Sequence, residues 1–255
     1  REDRSQFWFM NMVDSGLMTL IALTFCTAGF VKGMIGLGLP TVSLGLLSLF
    51  VNLPTAMALL VMPSLVTNIW QAVVGDQFTT LLRRLWPFLL MAVTMVHLGA
   101  ELFTMFETAL LKRGLGALLL LYALFALIGK TPQLSRRQEI VSSPICGAIN
   151  GLLTGLTGTL FVPGVMFLQA IGLSKDAFVQ AMGLLFATST ASLGLALYWH
   201  DLMPVDVGIL SCAALLPALI GMRLGQALRG HLSQDFFRRL FLIAIGGLSS
   251  YIMLF

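Results

Sequence analysis

The chain has 255 residues, 58% of them hydrophobic and only 10% charged, with a mean hydropathy of +0.94 and a formal net charge of +4. A soluble domain of this length carries roughly a quarter charged residues to solvate its exterior, so the composition excludes one and indicates a polytopic membrane protein. The basic residues fall in short clusters between apolar runs, which excludes nucleic acid as a partner, and Cys26, Cys146 and Cys212 lack any C-x-x-C spacing, so no metal, disulfide or cofactor is expected.

In chain order the apolar stretches cover about 16–34, 38–51, 54–75, 84–104 and 108–129, then 139–157, 160–173, 177–199, 205–228 and 236–255. No cleavable signal peptide is recognisable ahead of them, and the sequence opens on Arg1 without an initiator Met. Crossing the hydrocarbon core takes about 20 apolar residues. The third, fourth and fifth stretches of each set reach that length. The first two are joined at a glycine cluster, and the second is short. Each set is therefore predicted to form a helical hairpin, bent within or near the membrane, followed by three transmembrane helices. The breaks fall at Gly36-Leu37-Gly38 and at Gly158-Thr159.

The two sets repeat one another. Gly29, Gly33 and Gly36 spell G-x-x-x-G-x-x-G in GFVKGMIG, and Gly151, Gly155 and Gly158 spell it again in GLLTGLTG, 122 residues later. VHLGAEL, with His97 and Gly99, returns as MRLGQAL, with Arg223 and Gly225; Lys112-Arg113 returns as Arg238-Arg239, both at 126 residues. A diverged duplication leaves such a frame. It divides the chain into a first transmembrane repeat over 16–129, a cytoplasmic inter-repeat loop over 130–138 and a second repeat over 139–255.

Loop charges then orient the repeats. Arg83 and Arg84, the group Lys130, Arg136 and Arg137, and the group Arg229, Arg238 and Arg239 share one face, cytoplasmic by the positive-inside rule. Lys112 and Arg113, on the other face, run against the rule. Each repeat crosses an odd number of times, as three crossings plus a re-entrant hairpin or as five. The second repeat is then inverted about an axis in the membrane plane, and both chain ends lie outside. The expected fold class is an all-α polytopic membrane protein of two inverted repeats with 8–10 apolar segments, a body plan of secondary transporters.

Two chemistries suit the glycine motifs. G-x-x-x-G lets membrane helices approach closely. Glycine also permits an unwound backbone ahead of a half-helix, whose N-terminal N–H groups and partial positive charge bind anions. Recurrence at matching positions, each time before a short stretch, favours the second. Helix starts near Leu37–Leu39 and Thr159–Phe161 would meet at the midplane as an oxyanion site. Gly33, Gly36, Gly38 and Gly158 would open the backbone there, and Thr154, Thr157 and Thr159 would add hydroxyls.

Lys32 is either an anchor that snorkels to an interface or a deep cation that attracts the anion. Asn68 and Gln71 in one repeat, and Gln180, Thr188, Ser189 and Thr190 in the other, either bridge helices or line a substrate path. His97 and Arg223 are repeat equivalents. Snorkelling accounts for Arg223 and an interior hydrogen bond for His97, with cavity lining as the alternative. Glu101 follows His97 by about one turn, so the pair is either a structural hydrogen bond, which is favoured, or a candidate proton relay. Pro63, Pro87 and Pro217 mark kinks.

GFVKGMIGLGLPTVSLGLL, LLVMPSLVTNIWQ with Pro63, Asn68 and Gln71, and GLLTGLTGTLFVPGVMFL resemble the sulfite exporter TauE/SafE family of membrane permeases. The resemblance covers essentially the whole chain, duplicated layout included. The longer glycine run of many members is thinned here to Gly36, Gly38 and Pro40. The resemblance implies export or uptake of small anions, with sulfite and organosulfonates the usual substrates.

The expected function is that of a secondary transporter moving a small sulfur-containing oxyanion across the bacterial inner membrane by alternating access. An anion channel, or a permease for another small anion, is the alternative. The expected partners are the anion, membrane lipid and a coupling proton or Na+, and a homodimer is compatible with this plan. No H-E-x-x-H, no G-x-S-x-G with a partner His and no paired acidic motif argues for an intramembrane enzyme.

Overall fold

The computed structural model describes residues 15–128, 133–229 and 234–254; Lys130 lies outside them. Among the described residues there is no strand, and the helices are α1 (Ser15–Ile35), α2 (Leu39–Leu47), α3 (Leu53–Val73), α4 (Phe78–Phe103), α5 (Thr108–Ile128), α6 (Arg136–Thr157), α7 (Gly164–Ala170), α8 (Lys175–Trp199), α9 (Val205–Leu228) and α10 (Gln234–Leu254). Eight are long and apolar enough to cross a membrane. The exceptions are α2, with nine residues, and α7, with seven. At the helical rise, nine residues reach only about 13 Å, less than half a hydrocarbon core. The chain is an all-helical polytopic membrane protein.

Three details differ from the sequence expectation. First, α1 and α6 are themselves of crossing length, at 21 and 22 residues. Second, α6 begins at Arg136, so Arg136 and Arg137 are helical and do not lie in a loop. The extra turn is held by a capping box: the Ser135 hydroxyl accepts from Gln138 N, and Gln138 Oε1 accepts from Ser135 N at 2.9 Å. Third, the second short helix starts at Gly164, not near Thr159–Phe161, because residues 158–163 are non-helical up to Pro163.

The glycine stops are the same in both halves. Gly36 closes α1 with φ of 79° and donates to Lys32 O at 2.8 Å. Gly158 closes α6 with φ of 75° and donates to Thr154 O at 2.8 Å. Both occupy the left-handed region that glycine enters without penalty.

Packing exchanges the halves. A Cβ on Gly29 or Gly33 would fall inside the backbone carbonyl of Ala218 or Met222 on α9. At Gly151 and Gly155 it would fall inside the carbonyls of Ala92 and Val96 on α4. These are equivalent contacts, since Ala92 and Val96 correspond to Ala218 and Met222 at 126 residues. The first helix of each half is therefore packed on the fourth helix of the other. Gly99 and Gly225 complete the seams against the carbonyls of Leu152 and Phe30, again equivalent residues at 122. Backbones this close gain dispersion contacts along the whole seam, the main driving force for association in lipid.

The contacts also give helix directions. Gly29–Ala218 and Gly33–Met222 rise together, so α1 runs parallel to α9; Gly147–Phe88, Gly151–Ala92 and Gly155–Val96 rise together, so α6 runs parallel to α4. α9 runs alongside α3 in the same sense, with Ser211 near its start bonded to Leu59 and Met62, and Gln226 near its end beside Gln71. The short turn between Val73 and Phe78 reverses α3 into α4. Hence α1 and α6, which carry the repeated motif, run in opposite senses.

The change of offset from 122 to 126 has a simple origin, because α8 has 25 residues where α3 has 21. Their starts align: Asn52 caps α3 by accepting from Thr55 N, and Ser174 caps α8 by accepting from Ala177 N. Pro63 leaves the Leu59 carbonyl without its helical donor. The buried Ser211 hydroxyl supplies one at 2.9 Å and accepts from Met62 N at 3.0 Å.

At one end of the bundle Arg84 of α4 forms a bidentate pair with Glu139 of α6, at 2.7 and 2.8 Å, and donates to Ile171 O at 2.8 Å. Arg136 joins the same carboxylate at 2.5 Å. The sequence reading gave Arg136 only an orientation role, but it is ion-paired as well. Large apolar side chains such as Leu23, Trp86, Ile209 and Leu216 face outward, as a lipid-facing surface requires.

Candidate functional site

The position of Lys32 follows from the break. It lies in the last turn of α1, where Gly29 and Gly33 clamp one helix face onto α9. Its side chain is thereby turned toward α3. There Nζ donates to Thr67 Oγ1 at 3.1 Å and to Asn68 Oδ1. All three residues are buried, Asn68 completely. Thr67 Oγ1 in turn donates to Pro63 O at 2.7 Å, the carbonyl of the residue that kinks α3. Asn68 Nδ2 donates to Ser64 Oγ at 2.9 Å, and Ser64 Oγ meets Thr190 Oγ1 of α8 at 3.3 Å. A continuous polar chain thus runs from the Lys32 ammonium into the opposite half.

Lys32 also borders a cavity of about 280 Å3, with Gly33, Gly36, Thr67, Gln71, Gln226 and Arg229 among its lining. That is several times the ~30 Å3 share of one liquid water, so a small hydrated anion fits. Gln71 is held by donating to Val179 O at 2.8 Å. Among the described residues no carboxylate bonds to Lys32. The positive charges are Lys32 at the inner end and Arg229, which caps α9, at the outer end.

The expected residues distribute as follows. Lys32, Gly33, Gly36, Asn68 and Gln71 come together around or beside this cavity. Gly33 serves there as a packing glycine as well. Leu37 packs on the core, and Gly38 caps α2 with φ of 112°. Pro40 at the second position of α2 removes one N–H, so this helix start offers fewer donors than expected.

Thr154, Thr157, Gly158 and Thr159 form a separate buried cluster in the second half. Thr154 donates to Asn150 O and Thr159 O, each at 2.7 Å, while Thr157 donates to Leu153 O and pairs with Thr159 Oγ1 at 2.8 Å. The first amide of α7, Gly164 N, is taken by Asn150 Oδ1 at 3.0 Å. Arg223 faces outward in a largely apolar groove beside Val66, Trp70 and Leu216. His97 meets Ser192 Oγ at 3.4 Å and stacks obliquely on Trp199, while Glu101 is exposed and not hydrogen-bonded to it.

Thr67, Ser64, Gln226 and Arg229 were not anticipated in the site. Thr67 and Ser64 had a local signal, being one residue and one turn before Asn68. Gln226 and Arg229 had none, because only the α1–α9 seam brings them near Lys32.

Among the described residues, then, eight crossing-length helices enclose a buried lysine at the wall of a small cavity, a polytopic membrane protein with an ionisable group in its interior. The chain belongs to the sulfite exporter TauE/SafE family, whose model matches residues 20–252, nearly its whole length. That family consists of membrane permeases that export sulfite and related anions; its members are transporters and not enzymes. Comparison with curated proteins and with solved structures found no match.

Proposed function

We propose that this chain is a secondary transporter that moves a small sulfur-containing oxyanion, sulfite or an organosulfonate, across the bacterial inner membrane by alternating access. Lys32 supplies the fixed charge of its binding site. The observation that carries this reading is the buried Lys32 ammonium, held by two neutral oxygens and by no carboxylate among the described residues. An unpaired ammonium in a membrane interior costs several kcal/mol. An anion in the adjoining cavity offsets that cost through charge-assisted hydrogen bonds, with the Gln71 and Gln226 amides and Arg229 as further donors. A snorkelling anchor would instead carry its charge to an interface.

The opposite senses of α1 and α6 and their equivalent glycine seams support two inverted repeats, over 16–129 and 139–255, that rock against each other around the polar chain.

Calorimetric titration of sulfite into purified wild type, Lys32→Gln and Lys32→Arg tests the reading. Lys32→Gln is expected to weaken binding by roughly 1.5–3 kcal/mol, one to two decades in affinity. Lys32→Arg rescues poorly, because a planar fork does not replace a compact ammonium between Thr67 and Asn68. Equal affinity across the three proteins removes Lys32 from the site. In proteoliposomes, trans-stimulated exchange of labelled sulfite identifies a carrier; flux without it identifies a channel and overturns alternating access.

A further inference from the structure

We propose that the cavity between the start of α8 and the start of α10 binds one anionic phospholipid, with its phosphodiester on Lys175 and Arg238 and its acyl chains along α5 and α10. This cavity shares no lining residue with the one beside Lys32, so the proposal stands apart from the transport reading.

Backbone contacts set the depth of the cavity in the bilayer. The turn after α7 is tied to the arginine-rich end of the bundle: Arg84 donates to Ile171 O and Leu134 N donates to Ala170 O, each at 2.8 Å. Lys175 opens α8 four residues beyond Ile171, and Arg238 follows the start of α10 by about one turn. Two basic residues from separate helices thus reach the level where lipid headgroups lie.

Both line a single cavity of about 280 Å3, together with Gln169 of α7. Among the described residues neither cation makes a hydrogen bond or an ion pair. Asp176, next to Lys175 in the sequence, is not part of the lining. Two like charges on one space repel, and an anion between them replaces that repulsion with charge-assisted hydrogen bonds. Lys175 and Arg238 are both exposed, so the desolvation that penalises a buried ion pair is small here. The volume is far above the ~30 Å3 share of one liquid water, and a phosphodiester fits.

The rest of the wall points to a lipid rather than a free oxyanion. It is apolar, with Phe125, Leu168, Leu173 and Phe178. Leu124 and Ile128 on α5 and Leu240 on α10 are exposed and continue that surface outward, where acyl chains cover it. A free anion gains nothing from such a wall. The packing accounts for the space: α5 and α10 pack chiefly on each other and only sparsely on the remaining helices. A headgroup held from α8 and from α10 bridges that seam. Only the second half is furnished in this way. At the repeat offsets Arg238 corresponds to Lys112, but Lys175 and Gln169 correspond to Leu53 and Leu47, so the other half lacks the second cation and the amide.

The test is thermal unfolding of the full chain in neutral detergent with added phosphatidylglycerol, phosphatidylcholine of the same acyl chains, or inorganic phosphate. Phosphatidylglycerol is expected to raise the unfolding temperature saturably, and the other two are not. Lys175→Gln and Arg238→Gln should each weaken the apparent phosphatidylglycerol affinity about fivefold, the scale of one basic residue at an anionic surface. Arg239→Gln, which removes a neighbouring charge outside the cavity, should leave that affinity unchanged. Equal stabilisation by the two lipids overturns the proposal. Stabilisation by inorganic phosphate to the same extent identifies a free-oxyanion site and overturns the lipid. An equal loss in Arg239→Gln reduces the effect to diffuse surface attraction and overturns the site. If one of the two cavity variants does not fold, the other decides.

Discussion

Ser64 of α3 and Thr190 of α8 meet hydroxyl to hydroxyl at 3.3 Å, both completely buried. Thr190 is the counterpart of Asn68, and Asn68 donates to that same Ser64 at 2.9 Å. Ser64 therefore joins a residue to its own equivalent in the other half.

Ser64→Ala leaves the Asn68 amide without its acceptor and Thr190 without its partner. An unfolding free energy lower by about 1–3 kcal/mol is expected. Asn68, released from Ser64, also holds Lys32 less well, so sulfite affinity falls in the same variant. Unchanged affinity in a folded Ser64→Ala protein would separate the polar chain from the site.

The glycines sort into two kinds, and alanine distinguishes them. Gly29→Ala and Gly151→Ala drive a methyl into the carbonyls of Ala218 and Ala92, an overpacking cost of about 1–3 kcal/mol or more. At Gly36 nothing lies within 4 Å of the added Cβ, and the cost is only the left-handed backbone, about 1–2 kcal/mol. Thermal unfolding should place Gly29→Ala and Gly151→Ala together, below Gly36→Ala. A Gly36→Ala protein less stable than both would overturn the assignment.

Glu139 holds two arginines on α4 and α6, with its side chain only 5% exposed. Glu139→Gln keeps the shape and removes the charge, leaving Arg84 and Arg136 uncompensated. A loss of about 1–2 kcal/mol is expected, above an exposed pair because the carboxylate is buried and bidentate, but below a fully buried one because both arginines reach solvent. Arg137→Ala, at an exposed position with no role in that cluster, should unfold like wild type. If the two variants unfold alike, the cluster contributes nothing to stability.

The arginine-rich end is expected to be cytoplasmic. In a background lacking Cys26, Cys146 and Cys212, single cysteines at Arg83, Arg137 and Arg238 should resist a membrane-impermeant thiol reagent in intact cells and react after lysis. Labelling of any one in intact cells would sink the shared cytoplasmic face and, with it, the inverted arrangement.

Membrane class, the repeated frame and both helix breaks were legible from the sequence. Each depends on short-range properties: a run of apolar side chains partitions by its own composition, and a glycine stop such as Gly36 or Gly158 acts within one turn. The family resemblance rested on those same segments. Partners were not legible in this way. Nothing near Lys32 in the sequence signals that Thr67 and Asn68, 35 and 36 residues on, accept from it across a helix gap. Gly33 read as a site glycine, and its second role as a packing glycine against α9, nearly 190 residues away, had no local signal. The start of α7 was placed too early because its first amide, Gly164 N, is held by Asn150 from the preceding helix, a contact with no sequence signal. In a bundle whose side chains are nearly all apolar, hydropathy says little about which faces meet. Close backbone approach and a few buried hydrogen bonds decide it, and both exist only once distant helices are side by side.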